Sequence, residues 1–491
     1  MSDPLNNQWK TLDRDLGRFS QVELATQYVS RPLVGIVISL AFLVIAGIGS
    51  TLFFEERPSL IIVVAAIFGG YMALNIGAND VVINMGPAVG TNALTMGGAI
   101  LIAAIAESAG ALLAGGDVAG TISKAIIDPI SIADSEIFIF AMMAALISSA
   151  FWVNLATFFG APVSTTHSVV GGVMGAGIAA AGFSAVNWPT MSKIAASWVI
   201  SPVLSGLIAA VFLAFIKRHI VYKDNKIAAA RRWVPVLMAI MAAAFASYLA
   251  LKGLKRVIKV DLPTALLIGV GIGLLFYALT SPAIRKQSEG LENRNKSLKT
   301  LFTIPLIFSA ALLSFAHGAN DVANAVGPLA AIVHAMEFSD AATKVAIPLW
   351  VMLIGAFGIS FGLFLFGPKL IRMVGSQITK LNSMRAYCVS LSAAITVIVA
   401  SWAGLPVSST HIAVGAVFGV GFYREYEAEW RIRKKLAIGK PGQFMASEER
   451  KRRKLVRYSH FMTIIAAWII TVPAAAVLSG VIFLILRMLF V

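Results

Sequence analysis

Cysteine and charge are what this chain has least of. A single cysteine, Cys388, in 491 residues removes any disulfide scaffold. Charged residues make up only 13%, where a soluble chain carries roughly 25%. Acids are the scarcer sign, 24 against 40 Lys and Arg, which leaves a net charge of +16. The 41 glycines follow no triplet period, so a collagen-like repeat is excluded. What is abundant is apolar: 58% of residues are hydrophobic and the mean hydropathy is +0.83. That composition excludes disorder and a soluble globular fold, and leaves a polytopic membrane protein.

A basic balance is also a footprint of nucleic-acid binding, so the placement of the charge decides. Lys and Arg fall in short polar gaps between apolar runs, at 217–232, 252–259, 285–299, 369–385 and 424–457. This is the positive-inside pattern of a membrane protein, and no nucleic-acid partner is expected. Residues 1–32 mix acids, bases and polar groups, and the first apolar run, 33–54, is 22 residues long. That matches a membrane span rather than a signal h-region of about 7–15 residues, so it is expected to stay as a transmembrane helix.

Apolar runs long enough for a bilayer predict spans near 33–54, 59–76, 93–114, 137–158, 191–216, 233–251, 262–280, 346–367, 386–403 and 462–490. Four further pieces, near 82–92, 163–183, 301–334 and 407–423, are interrupted by Gly, Pro, Asn, Asp, Ser, Thr and His, and read as re-entrant or broken helices. The expected fold is all-α, with about 12 transmembrane elements in two homologous repeats. The organisation expected is a cytoplasmic segment 1–32, an extra N-terminal helix and short loop 33–58, a first repeat with connecting helices 59–280, a hydrophilic linker 281–300, a second repeat core 301–423, a basic cytoplasmic loop 424–461 and a C-terminal helix 462–491. The loop at 424–460 holds twelve Lys or Arg against five Glu; a solvated tether explains it, with anionic-lipid contact as the functional alternative. One conflict stands: with 217–232 and 285–299 both inside, Lys252, Lys255, Arg256 and Lys259 fall outside.

The repeat is the strongest signal. GANDVVINMGP (77–87) and GANDVANAVGP (318–328) agree at seven of eleven positions, and PVSTTHSVVGGVMGAG (162–177) and PVSSTHIAVGAVFGVG (406–421) at ten of sixteen. The motifs are 85 residues apart in one half and 88 in the other, so each half repeats one unit. Paired, interrupted hydrophobic segments at matching places of two halves point to a transporter site at the repeat interface. An odd number of crossings between the copies, about seven by the run count, inverts the second.

Each PVS(T/S)TH motif has the composition of a helix N-terminus. Ser164, Thr165 and Thr166 in one copy, and Ser408, Ser409 and Thr410 in the other, offer a cap followed by free N–H donors at a positive dipole end. Two such ends facing each other make an oxyanion cage without Lys or Arg. Asp80 and Asp321 appear to contradict an anion site, but an ionised group within the membrane marks an ion pathway. Carboxylate with amide oxygen suits a hard cation, so Asp80 with Asn79 and Asp321 with Asn320 are the candidate cation sites. Cotransport follows from charge: each negative charge entering a cell against 100 mV costs about 2.3 kcal/mol. Glu107, mid-span, is a further cation or proton candidate, its alternative being a neutral, hydrogen-bonded Glu; its counterpart in the second half falls in apolar LIGAFGIS. His167 and His411 either support the turn or carry a proton.

The twin GAND…GP and PVS(T/S)TH signatures resemble those of the inorganic phosphate transporter (PiT) family, over about residues 59–490. The resemblance implies an inverted-repeat fold with re-entrant hairpins and cotransport of phosphate with Na⁺ or H⁺, or of sulfate or another tetrahedral oxyanion. It puts substrate contacts on Asn79, Asn320 and the Ser and Thr of 164–166 and 408–410, and cation contacts on Asp80, Asp321, Asn79 and Asn320. It implies no cofactor and no metal beyond Na⁺, a multi-pass place in the inner cell membrane, inorganic phosphate and the bilayer as partners, and leaves a homodimer open. The first copy departs from the pattern, with Ile83 where the second has Asn324; either Asn84 substitutes from a shifted turn or one polar ligand is missing. A hydrolase built on Ser164, His167 and Asp80 is not expected, because the candidate groups come in two equal sets, as rocking repeats require and catalysis does not.

Overall fold

The structure, a computed structural model, describes residues 33–53, 60–127, 131–132, 134–159, 163–253, 260–338, 347–375, 381–437 and 458–490. The segment 1–32, Pro162, Lys255, Arg256, Lys259 and residues 438–457 of the basic loop lie outside the described residues. Among the described residues the regular structure is helical, apart from an isolated bridge between Ile127 and Val186. Helices satisfy their own backbone in hydrocarbon, and eleven are long and apolar enough to cross a membrane.

In chain order the helices of the described residues are α1 (Leu33–Thr51), α2 (Leu60–Gly90), α3 (Met96–Ala114), α4 (Gly116–Lys124), α5 (Ser135–Phe158), α6 (Thr165–Ala181) and α7 (Trp188–Ile216). After a π-helical turn, Lys217–Val221, come α8 (Lys226–Lys252), α9 (Leu262–Gln287), α10 (Asn295–Leu301), α11 (Thr303–Phe338), α12 (Leu349–Gly375), α13 (Ser383–Trp402), α14 (Ser409–Ala437) and α15 (Tyr458–Phe490).

Two of the four expected interruptions are absent. GANDVVINMGP runs within the continuous α2 and GANDVANAVGP within α11, with Pro87 and Pro328 inside the helices. Their Asn and Asp side chains find partners on other helices and so do not divert the local backbone into turns. Their glycines serve close crossing: a Cβ on Gly77 would overlap the Ile359 carbonyl, and one on Gly318 the Glu107 carbonyl. The two PVS(T/S)TH segments do break the chain. The Ser164 hydroxyl accepts the His167 N–H at 3.1 Å and the Ser408 hydroxyl accepts that of His411 at 3.3 Å, so each motif caps a helix that starts deep in the protein.

Helix directions follow from which residues meet. Gly69 of α2 packs on Leu329 of α11, while Asp80, further along α2, meets His317 and Asp321, earlier on α11. The two motif helices are therefore antiparallel. α5 runs with α2, since Asn75 bonds the Ala150 carbonyl and Asn79 bonds Thr157. α13 runs with α11, Tyr387 lying against Phe302 and Ser401 against Asn320. The hairpins α5–α6 and α13–α14 thus enter from opposite faces and meet tip to tip, where the Thr166 hydroxyl donates to the Val407 carbonyl at 3.0 Å.

These directions put 217–232 and 285–299 on one face and the end of α8 on the other. There Lys252 pairs with Asp117, so the one described member of the basic group 252–259 is neutralised.

Candidate functional site

The tips of the two hairpins bring two helix N-termini against α2 and α11 in the interior of the protein. Asp80 Oδ2 accepts the Thr165 hydroxyl at 3.0 Å, and its Oδ1 accepts the Thr410 hydroxyl at 3.2 Å. Asp321 Oδ2 accepts the Ser409 hydroxyl at 2.8 Å, the repeat-related contact to Thr165. Both carboxylates are 1% exposed. Asp80 is therefore gripped by hydroxyls from both hairpins, and it joins the halves.

Between the carboxylates stands His317, one residue before the second GAND. Its Nε2 lies 2.9 Å from Asp321 Oδ2 and 3.6 Å from Asp80 Oδ2, and its Nδ1 lies 3.2 Å from Glu107 Oε1. Glu107 is fully buried and also accepts the Asn84 amide at 2.9 Å. Glu107 Oε2 and Asp321 Oδ1 are buried without a hydrogen-bond partner. Three carboxylates thus surround one imidazole. Two like charges 4 Å apart repel by about 4 kcal/mol at an effective dielectric constant of 20, so ionised carboxylates here call for added positive charge. Ligand atoms of Asp80, His317 and Asp321 all lie within 4.8 Å of one another, a spacing that suits a hard cation held by carboxylate oxygen.

The NH2 groups of Asn79 and Asn320 tether the outer hairpin limbs: Asn79 donates to Thr157 at 3.1 Å, and Asn320 to Ser401 at 3.0 Å and to the Leu405 carbonyl at 3.3 Å, which leaves Asn320 Oδ1 buried without a hydrogen-bond partner. Ser164 and Ser408 are caps. The His167 and His411 rings meet edge to face at 4.4 Å, with Trp198 against His167 at 3.9 Å, and the Trp198 indole donates to the Pro406 carbonyl at 3.0 Å. This aromatic seam packs the two tips together. Asn84 faces Glu107 and so does not replace the missing Asn in the first copy; Asn324 reaches Thr166 at 3.2 Å and Thr165 at 3.4 Å.

His317 is the residue that reading the motifs missed. Its signal lies one position outside them: AHGAND in the second copy stands against NIGAND in the first.

No catalytic constellation forms among the described residues. Residues 358–362 spell G-x-S-x-G, but they lie inside α12, where Ser360 shares a 2.7 Å hydrogen bond with Ser108 and meets the Ala104 carbonyl at 3.1 Å; there is no strand-to-helix elbow. Ser164 accepts the backbone N–H of His167 and does not meet its ring.

Comparison with known proteins agrees with this geometry. The profile of the Phosphate transporter family matches residues 76–479. A Helicobacter pylori strain J99 protein named "Putative phosphate permease" is 45% identical, with 96% of this chain and 98% of the relative covered. A protein of the same designation from Pyrococcus abyssi is 35% identical over 86% of this chain and 96% of its own length. Among solved structures, one titled "The sodium-dependent phosphate transporter" superposes with a TM-score of 0.79 at 35% identity, covering 88% of this chain and all of the other. The chain is a transporter, not an enzyme, and it belongs to the phosphate transporter family.

Proposed function

We propose that the protein is a cation-coupled symporter of inorganic phosphate that works by alternating access. The observation that carries the proposal is the meeting of two helix N-termini, bearing Thr165, Ser409 and Thr410, on a buried carboxylate pair with no Lys or Arg in contact. Hydroxyls and N–H dipole ends suit a tetrahedral oxyanion, but Asp80 and Asp321 repel one until cations neutralise them. Cation loading then precedes or accompanies phosphate, and the Thr165, Ser409 and Thr410 hydroxyls turn from the carboxylates to the anion. The name of the solved relative favours Na⁺ as the coupling ion.

The positive-inside rule places the face of 217–232 and 285–299 in the cytoplasm. A small crevice opens on that side between α2, α13 and α14, lined by Ile83, Pro87, Leu381, Val389 and Val417 among others. Its repeat counterpart along α11 is more tightly packed: Asn324, Val170 and Val173 are buried where Ile83, Val414 and Val417 are half-buried, and Gly327 packs on Ile122. One side looser and the other tighter is the asymmetry that alternating access needs.

The test is labelled phosphate uptake by the purified protein in liposomes under an imposed Na⁺ gradient or an imposed H⁺ gradient, with excess sulfate as competitor. Uptake driven by the Na⁺ gradient and indifferent to sulfate is expected. Uptake abolished by sulfate would move the cargo to sulfate, and none under either gradient would overturn symport.

A further inference from the structure

Beside the cytoplasmic end of the crevice stand two arginines with no carboxylate paired to them among the described residues. α13 and α14 are antiparallel limbs of one hairpin, and Val389 and Val417 line the crevice from the two sides. Arg385 lies one helical turn beyond Val389 towards the face, and Arg424 two turns beyond Val417, so the limbs bring both guanidinium groups to the mouth. Both stand roughly four to five turns from the hairpin tip, on antiparallel limbs. The Arg385 Nε donates to Asn382 Oδ1 at 3.0 Å, which fixes the side chain against its own helix cap. The Arg424 Nη1 is buried and has no hydrogen-bond partner.

Nearby acids do not satisfy them. Glu427 is taken by Lys217 and the Tyr222 hydroxyl. Glu425 follows Arg424 in the chain and makes no ion pair with either arginine, and among the described residues no carboxylate oxygen comes within 4.0 Å of their nitrogens. Two partly buried guanidinium groups at matching heights on the two limbs, one with a buried unpartnered nitrogen, fit an oxyanion bearing several acceptor oxygens.

We propose that Arg385 and Arg424 form a second anion site, for a phosphate group, at the cytoplasmic mouth of the crevice. Ala413, two residues past His411, lines the top of the crevice and Leu381, one turn before Arg385, its lower end. The site therefore lies at the end of the path from the centre. It takes either the released cargo or the phosphodiester headgroup of an anionic lipid, which share this chemistry. The assignment rests on the transport reading for the direction of the path, and its binding test does not depend on uptake.

The experiment is saturation binding of labelled inorganic phosphate to the purified full chain at saturating coupling cation, with phosphatidylcholine alone or with phosphatidylglycerol added. Two phosphates per chain are expected in phosphatidylcholine, one of them weak. Arg385→Gln/Arg424→Gln should remove the weak one and keep the other, while Asp80→Asn should remove only the tight one. If phosphatidylglycerol displaces the weak phosphate in the wild type and not in the variant, the occupant is lipid; if it has no effect, the occupant is cargo. A double Gln variant that binds phosphate and responds to phosphatidylglycerol as the wild type does overturns the site. Should that variant fail to fold, phenylglyoxal modification of Arg424 in the wild type, read by mass spectrometry, decides: phosphate or phosphatidylglycerol should slow it at least tenfold, and no protection by either overturns the site. Loss of gradient-driven uptake with the weak site intact would instead count against the symport reading alone.

Discussion

The two helix crossings that flank the centre have one backbone geometry and two chemistries. Where α2 crosses α12, Gly77 meets the Ile359 carbonyl and Gly362 the Leu74 carbonyl; where α11 crosses α3, Gly318 meets the Glu107 carbonyl and Gly110 the Phe315 carbonyl. Ser108 and Ser360, themselves equivalent, bond to each other at 2.7 Å between the crossings. At matched positions the first crossing carries Ile76 and Ile359, both fully buried, and the second carries His317 and Glu107, also fully buried. Glycine spacing has kept the frame while one crossing became an aliphatic contact and the other an ion-pairing one. Close packing needs the glycines twice, whereas the imidazole is supplied once, between the carboxylates at the axis the two aspartates share.

The largest expected effect removes what both halves share. Asp80→Asn and Asp321→Asn should each abolish coupled phosphate uptake while leaving insertion and monodisperse purification unchanged. Because Asp80 accepts hydroxyls from both hairpins and Asp321 from one, Asp80→Asn should also perturb the link between the tips more, seen as faster hydrogen exchange at 163–168 and 406–411. Near-normal uptake in both variants would remove the carboxylates from the mechanism.

The next test makes the polar crossing resemble the apolar one. His317→Ile leaves Glu107 and both aspartates without their imidazole, and stranding a buried charge costs about 3–5 kcal/mol. The double change His317→Ile/Glu107→Ile copies Ile76 and Ile359, so it should recover most of the lost thermal stability in detergent and still fail to transport. A single variant as stable as the wild type would show that the imidazole offsets no charge.

How much of this was legible in the sequence divides along the same line. The duplicated motifs were visible because identity survives where the backbone needs it, at the glycines and at the hydroxyl caps of α6 and α14. The helix starts at Ser164 and Ser408 follow from capping chemistry that is local in sequence. The continuity of α2 and α11 through GAND was not legible, because Gly, Asn and Pro in a row spell a turn until the crossing helix that fills the glycine notch is known. Asn79 and Asn320 are expected as ligands on adjacency to Asp, and what adjacency does not tell is that their NH2 groups also tie α2 to Thr157 and α11 to Ser401. His317 lay outside the duplicated string, and a repeat search favours what is shared over what is unique to one half.

Hydroxyls at equivalent places should also part company. Thr410 donates to Asp80, and Thr166 donates to the Val407 carbonyl while receiving the Asn324 amide. Thr410→Ala should raise the KM for phosphate several-fold before it alters the cation dependence. Thr166→Ala should weaken phosphate affinity less and lower stability by about 1 kcal/mol, the worth of a buried hydrogen bond. Equal KM effects with no stability difference would mean that the two hydroxyls meet substrate alike.

The smallest effect, and the sharpest for the comparison, is Ile83→Asn. The change gives the first copy the amide that Asn324 supplies in the second, at a position that now lines the crevice. In the second copy that amide sits on Thr166, whose own proton goes to a backbone carbonyl of the opposite tip. The same arrangement at Thr410 would draw its hydroxyl from Asp80 Oδ1 towards the Val163 carbonyl, the counterpart of Val407. Asp80 would then hold one hydroxyl, as Asp321 does. One such hydrogen bond is worth about 1 kcal/mol, roughly fivefold in affinity. A carboxylate with fewer donors attracts a cation more strongly, so the half-saturating coupling-cation concentration should fall by about that factor while maximal uptake stays within twofold. An unchanged cation affinity would show that Ile83 matters only as an apolar wall of the crevice, and that the difference between the halves is confined to the crossing that holds His317 and Glu107.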